Sequence, residues 1–444
     1  MRISEIYKNK LEGEEGWVLK RGAGLRIALC YPNVYEIGMA NLGFQAMYEL
    51  FNRIPEVSCE RVFLPDAGEA REYEKSRSAL LSLESQTPVR DFDVVAFSIS
   101  FETDYLNMAR MLQLSGVPVW SKDRTKHDPL VVMGGAASFL NPEPIADFTD
   151  LIGVGEGEIL GPQLVDAIFE HETKDEILLA LARTGRGFYV PALYDVTYHP
   201  DGTVAEYRPL DEGVPARVGR AVSAENPKEG SLRRAMRRGE REVAEKLRGE
   251  EVFAPSTVIF APRAEMGERF LVEISRGCSQ GCRFCWAGFN YWPPRVVPAR
   301  DILQKAREWR SKTDKIGLVS TAVCDHPEIS EILQGLRALD YRISVSSLRL
   351  DQISDELLDA LVESKDQQIA VAPETGSDRL RKVINKNLTN DEIVDICGAV
   401  FDRGMLTIKL YLMVGLPTET DEDLEEMVTL VERIKDRMLE AGKR

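Results

Sequence analysis

Short apolar runs alternate with amphipathic stretches along most of this 444-residue chain, and that alternation restricts the fold more than any other feature. LRIALCYP from Leu25, CERVFLPD from Cys59, DVVAFSIS from Asp93 and PLVVMGG from Pro129 read as buried strands. GFQAMYELFNRI and TDYLNMARMLQLSG between them carry helical spacing. A strand that is apolar on both faces needs cover on both, and helices threaded between such strands supply it while keeping them parallel. The expectation for residues 1–171 is a doubly wound parallel sheet. Ligands of such sheets sit at the strand carboxyl ends, so the loops Tyr31–Gly43, Ser98–Thr103 and Gly134–Ser138 are expected to share one rim.

The pattern returns after residue 268. RFLVEISRG, KIGLVSTAV, YRISVSSLRL, QQIAVAPETG and LTIKLYLMVGLP are each followed by a helical stretch, five β–α units in series. A whole eight-unit barrel takes about 31 residues per unit, so residues 269–444 hold more than half a barrel and less than a whole one. EDLEEMVTLVERIKDRMLEAGKR is an amphipathic helix that runs to the last residue. The expected fold is a partial (β/α) barrel that stops after its fifth unit, the chain being truncated, one product of a split gene, or half of a larger enzyme. A separate chain that completes the barrel is then an expected partner.

Residues 172–268 read as a connector. YDVTYHPDGTVAEYRPL forms a hairpin joined at Asp201–Gly202. EGSLRRAMRRGEREVAEKLRGEE interleaves arginine with glutamate, which reads as a solvated helix held by opposite-charge pairs. Arg233, Arg234, Arg237 and Arg238 are the place to look for nucleic-acid binding.

Three of the seven cysteines, Cys278, Cys282 and Cys285, fall within EISRGCSQGCRFCW, spaced C-x3-C-x2-C. A short loop lets three sulfurs face one soft-metal centre. A closed structural site takes four ligands, so three leave one metal corner for a non-protein ligand. A zinc site completed by a distant histidine or cysteine is the alternative, though the four histidines (His127, His171, His199, His326) are scattered.

The spacing, with Phe284 before the last cysteine and Gly281 before the second, resembles the signature of the radical S-adenosylmethionine (SAM) superfamily. The resemblance implies a [4Fe–4S] cluster held by Cys278, Cys282 and Cys285, with SAM on the open iron. It implies reductive cleavage of the sulfonium and a 5′-deoxyadenosyl radical that abstracts hydrogen from a substrate. The backbone beside Phe284 would touch the adenine. An electron donor such as flavodoxin or ferredoxin is an implied partner.

Residues that follow each barrel strand face the active rim. By position STAVCDH resembles the family's segment that receives the methionine amino group, with Ser320 and Thr321 in place of the usual Gly-Gly-Glu. Cys324, Asp325 and His326 follow immediately and are candidates for the substrate side, with a plain half-buried cysteine the other reading of Cys324. Pro373–Ser377 with DRLRKVINK resembles a segment of the methylthiotransferase-like branch: Glu374 would accept from the SAM ribose or amino group, and Arg379 or Lys409 would meet the carboxylate. Gly415 in VGLP resembles the late glycine motif beside adenine.

The first half, especially VVMGGAASFLNPEPIADFTDLIGVGEGE, is similar to the Rossmann-like, cobalamin-binding-type domain that precedes many radical SAM cores. It departs from that pattern where it matters: the loop YPNVYEIGMANLG holds no Asp-x-His-x-x-Gly run, and no histidine precedes His127. Cobalamin would have to sit without a protein ligand, or over Asn33, Tyr35 or a water. A degenerate scaffold is the other reading.

A net charge of −16 argues against non-specific binding to nucleic-acid phosphates. The polar N-terminus is no signal peptide, and no apolar run approaches the roughly 20 residues of a membrane span, so a cytoplasmic enzyme is expected. The overall reading is a radical SAM enzyme acting on an unknown substrate, with three rivals: a cobalamin-dependent methyltransferase, an RNA-modifying enzyme, and a non-catalytic iron–sulfur protein. Methylthiolation needs a second cluster, and the first half offers only Cys30 and Cys59.

Overall fold

A computed structural model of the chain describes residues 2–222, 254–346, 348–364 and 369–442. The arginine-rich segment with Arg233, Arg234, Arg237 and Arg238 lies outside the described residues. The fold is mixed α/β and divides into two compact units, Met1–Pro227 with Thr257–Glu268, and Lys228–Ser256 with Arg269–Arg444.

The first unit is built on β1 (Leu25–Tyr31), β2 (Val57–Phe63), β3 (Val94–Ser98), β4 (Leu130–Gly134), β5 (Leu151–Gly153) and β6 (Phe188–Tyr189), in the order β2-β1-β3-β4-β5-β6. The first five strands are parallel and β6 is antiparallel to β5, so the sheet is mixed where an all-parallel one was expected. The apolar runs of β1, β3 and β4 are buried almost throughout, which is why they read as continuous hydrophobic segments. The chain reverses direction across the sheet between β1 and β3, and the loops at their carboxyl ends are tied together. Asn41 Nδ2 donates to Ser100 Oγ at 3.0 Å, Asn33 Nδ2 to Asp104 Oδ1 at 3.2 Å, and the Ala137 amide to the Ile99 carbonyl at 3.2 Å.

Edge strand β2 carries a buried charge. Arg61 is fully buried and bonds Glu84 through Nε at 2.7 Å and Glu14 through Nη1 and Nη2 at 2.8 and 2.6 Å. Glu84 Oε2 also accepts from the Arg61 amide at 2.8 Å, so this carboxylate covers part of the open edge. The hairpin expected in the connector is present as β7 (Tyr194–Tyr198) and β8 (Val204–Pro209), antiparallel, and belongs to the first unit.

The second unit contains β9 (Phe270–Glu273), a short ribbon of β10 (Ser275–Arg276) and β11 (Arg295–Val296), then β12 (Lys315–Val319), β13 (Arg342–Val345), β14 (Ile369–Glu374) and β15 (Ile408–Leu412). The five strands expected after residue 268 are these, less the ribbon. They form two parallel sheets, β13-β12-β9 and β14-β15. One apolar core joins them: Phe270, Ile316, Ile343 and Val371 from strands pack with Leu303, Leu333, Leu361 and Val400 from helices. Among the described residues no sixth strand pairs with β15. Ser256 of the connector meets Val272 only through an isolated antiparallel bridge.

Candidate active site at the cysteine loop

Strand β9 runs into the β10–β11 ribbon, and residues 277–294 form the loop between the ribbon strands. Gly277 opens it at φ +86°, and a Cβ there would lie 2.2 Å from the Tyr291 carbonyl oxygen. Glycine alone meets both demands. Gly281 also takes a positive φ, +66°, and the Cys285 amide donates to the Cys282 carbonyl at 3.1 Å. Cys278, Cys282 and Cys285 are therefore carried on one tight turn, all free thiols and all half-buried.

Burial pushes the Cys278 and Cys282 thiols above their ordinary range. Cys278 and Cys285 push Cys282 further the same way, and the Lys386 ammonium opposes them. Among the described residues no group of three or more His, Cys, Asp or Glu side chains is gathered as for one metal ion. A [4Fe–4S] cluster makes a different demand, since each thiolate binds its own iron at a separate corner. Three free thiols on one loop fit that group.

His326 does not complete a zinc site. It is buried, its Nε2 lies 2.9 Å from the Val297 carbonyl oxygen, and its Nδ1 accepts from the Glu328 amide at 3.1 Å. A carbonyl only accepts and an amide only donates, so Nε2 carries the proton and both nitrogens are engaged. This histidine is a tie between two loops rather than the substrate-side group expected.

The other residues expected at the site divide into those brought to the cysteine loop and those committed elsewhere. Ser320 and Thr321 are brought there, but as supports. Thr321 Oγ1 donates to the Gly277 carbonyl at 2.7 Å, Ser320 Oγ lies 2.6 Å from Ser275 Oγ, and Ser346 Oγ donates to the Ser320 carbonyl at 2.8 Å. The Thr321 hydroxyl proton is thus used to hold the loop, while its oxygen keeps lone pairs that can accept. Phe284 is 39% exposed on the loop itself.

Glu374 ends β14 at φ +66° and pairs through Oε1 with Lys386 Nζ at 2.9 Å. Arg379 does not face this pair freely. Its guanidinium is committed to the Asp423 carboxylate and donates to the Thr418 carbonyl at 2.8 Å, which counts against its expected role on a carboxylate. Lys409 is exposed on β15, in register with Ala370 of β14, and its ammonium lies 4.9 Å from the centre of the Tyr411 ring. Gly415 takes φ +88° and its amide donates to Glu419 Oε2 at 2.5 Å.

Residue-by-residue reading of the sequence missed Asn385 and Lys386, and it named Asp325 without foreseeing that Arg349 would pair with it. Arg349 Nη1 bonds Asp325 Oδ1, and both charges act on Cys278. Lys386 was visible only as the end of a basic run, with no periodicity to mark it.

Two family models match the chain. "Radical SAM proteins, N-terminal" covers residues 43–191 and "Radical SAM superfamily" covers residues 272–431. The uncharacterized protein MJ0966 of Methanocaldococcus jannaschii is 27% identical over 416 residues, 92% of this chain and 74% of that protein. The ribosomal protein uS12 methylthiotransferase RimO of Thermotoga maritima is 26% identical over 197 residues, 41% of this chain and 46% of that protein. The cobalamin-dependent SAM radical enzyme OxsB superposes with a TM-score of 0.55 at 16% identity, covering 92% of this chain and 52% of that one, which is a likeness of fold. The chain thus spans about half the length of OxsB and of RimO. With three free thiols on a glycine-shaped loop at the head of the matched core, and family matches to both halves, this chain belongs to the radical SAM superfamily of enzymes.

Proposed function

We propose that Cys278, Cys282 and Cys285 hold a [4Fe–4S] cluster whose open corner takes SAM, and that the chain uses it to abstract hydrogen from a substrate. The observation that carries this reading is the set of three free, half-buried thiols on one turn, with no fourth thiol on that loop. When bound, the cluster supplies one electron for reductive cleavage of the sulfonium; flavodoxin or ferredoxin is the class of donor. The chain's own part is position. Gly277 and Thr321 set the loop, and Asn385 ties it to the turn that carries the Lys386–Glu374 pair. The division into a cobalamin-binding-like domain at 1–171, a connector at 172–268 and a radical SAM partial barrel at 269–444 belongs to this proposal, as does a cytoplasmic setting. No helix of the described residues is long and apolar enough to cross a membrane.

A second reading, cobalamin in the first unit, is favoured by the fold likeness to OxsB over 92% of the chain. The loop after β1 limits its form. Tyr35 is buried and donates to Glu14 Oε1 at 2.6 Å, while Asn33 is spent on Asp104 and on the Val34 amide. Neither stands free to ligate cobalt, so a corrinoid would bind here without a protein ligand to the metal.

Anaerobic reconstitution tests both readings. About four irons per chain and 5′-deoxyadenosine formed from SAM and dithionite are expected; a fully loaded cluster that yields none would overturn the proposed function. Corrinoid absorption bands in protein incubated with hydroxocobalamin and desalted decide the second reading.

A further inference from the structure

Cys282 is bracketed by a segment about 100 residues away. On one side, Asn385 Nδ2 donates to the Gly281 carbonyl at 2.9 Å and to the Gln280 carbonyl at 3.3 Å. On the other, the Arg283 amide donates to the Ile384 carbonyl at 2.9 Å, and Arg283 Nη1 donates to the Val383 carbonyl. Asn385 itself sits at φ +57°, a conformation that asparagine tolerates better than most side chains. The backbone before and after Cys282 is thereby bonded to residues 383–385, immediately after the helix Asp378–Val383.

The next residue is Lys386. Its ammonium is anchored by the Ala372 carbonyl and by Glu374 Oε1, both on β14, so the charge is fixed in place rather than swinging in solvent. Glu374 in turn is held by its carbonyl, which accepts from the Met413 amide at 2.7 Å. Lys386 directly follows the residue bonded to the Gln280 and Gly281 carbonyls, so the turn carries a fixed cation and its fixed counter-charge next to the loop that holds Cys282.

We infer that Asn385 and Lys386 are positioning residues for the cluster: Asn385 fixes the path of the loop through Cys282, and the Lys386–Glu374 pair sets the reduction potential at that corner. The inference rests on the proposed cluster. Reduction adds negative charge to the cluster, so a nearby cation favours the reduced form and a nearby carboxylate disfavours it. The two members of the pair must then act with opposite sign.

The test is a redox titration of the reconstituted full-length protein without SAM, followed by electron paramagnetic resonance, with iron content and circular dichroism measured on each sample. Lys386→Gln is expected to shift the midpoint to more negative potential, changing the reduced-to-oxidised ratio roughly tenfold, or about 59 mV for one electron. Lys386→Arg keeps the charge and is expected to stay near the parent value. Glu374→Gln is expected to shift it to more positive potential. Asn385→Gly keeps the left-handed backbone free of strain while removing the two donors, and is expected to speed iron loss to a chelator several-fold with little change in midpoint. Equal midpoints for Lys386→Gln and the parent, or shifts of the same sign for the lysine and glutamate variants, would overturn the inference while leaving the cluster standing. A parent protein that takes up no iron would instead remove the cluster, and with it this role.

Discussion

Gly277 shows how one residue governs the site. Alanine there would hold a left-handed backbone at a cost of about 1–3 kcal/mol and press a methyl against the Tyr291 carbonyl. Gly277→Ala is expected to fold, by circular dichroism, and to bind less than a quarter of the parent's iron after reconstitution. Thr321→Val is a milder probe of the same loop. It removes the 2.7 Å bond to Gly277 and leaves a carbonyl short of a partner, about 1–2 kcal/mol of loop stability, read as faster iron loss to a chelator. His326 gives the site a pH dependence. Burial holds its pKa below the ordinary 6.5, against the weaker pull of Val297 and Glu328. The unfolded chain therefore binds the proton more readily than the folded one. The stability from neutral His326 is fully present above about pH 6.5 and is lost as pH falls from there through the depressed folded value. Urea midpoints between pH 7.5 and 5.5 are expected to fall in the parent and to fall less in His326→Gln.

At the scale of elements, the last helix Asp421–Ala441 is fastened by its first turn. Asp423 accepts from the Thr420 amide at 2.9 Å and from the Ser377 hydroxyl, and pairs with Arg379, whose side chain is otherwise half-exposed. Arg379 foremost, with Ser377 and Thr420, holds the Asp423 carboxyl well below the usual carboxylate range. A depressed acid contributes stability that is present above its unfolded value, about pH 3.9, and is lost as pH falls through the folded value. Asp423→Asn is expected to lower the urea midpoint of the second unit at pH 7, while Arg379→Ala, which removes a solvent-screened partner, is expected to lower it much less. If Arg379→Ala instead abolished SAM binding in equilibrium dialysis while the fold survived, the commitment of Arg379 to Asp423 would be the wrong account of it.

Over the whole molecule, each unit carries its own apolar core, and the first adds a buried ionic network around Arg61. Removing one partner of such a network strands a charge away from water, about 3–5 kcal/mol. Arg61→Ala is expected to lower the unfolding midpoint of the first unit by that order, in urea titrations followed by proteolysis of its segments. The strands and the helices between them were legible in the sequence to within a few residues, as in LRIALCYP for β1 and KIGLVSTAV for β12. β5 and β6 were not, because three and two residues are too short to show a period. The three thiols were legible because a loop of eight residues carries all of them. Which polar side chains remained open to a ligand was not. Ser320, Thr321, Arg379 and His326 looked available, and each has a partner between 2 and 45 residues away in sequence.

The alternation of strand and helix and the close grouping of Cys278, Cys282 and Cys285 follow from the order of residues alone, because periodicity and short loops are properties of neighbours in the chain. Folding in three dimensions set the rest: Asn385 meets the cysteine loop, Lys386 pairs with Glu374, and Arg379 turns to Asp423. Hydrogen bonds and ion pairs are chosen by distance in space, and the chain must be folded before that distance exists.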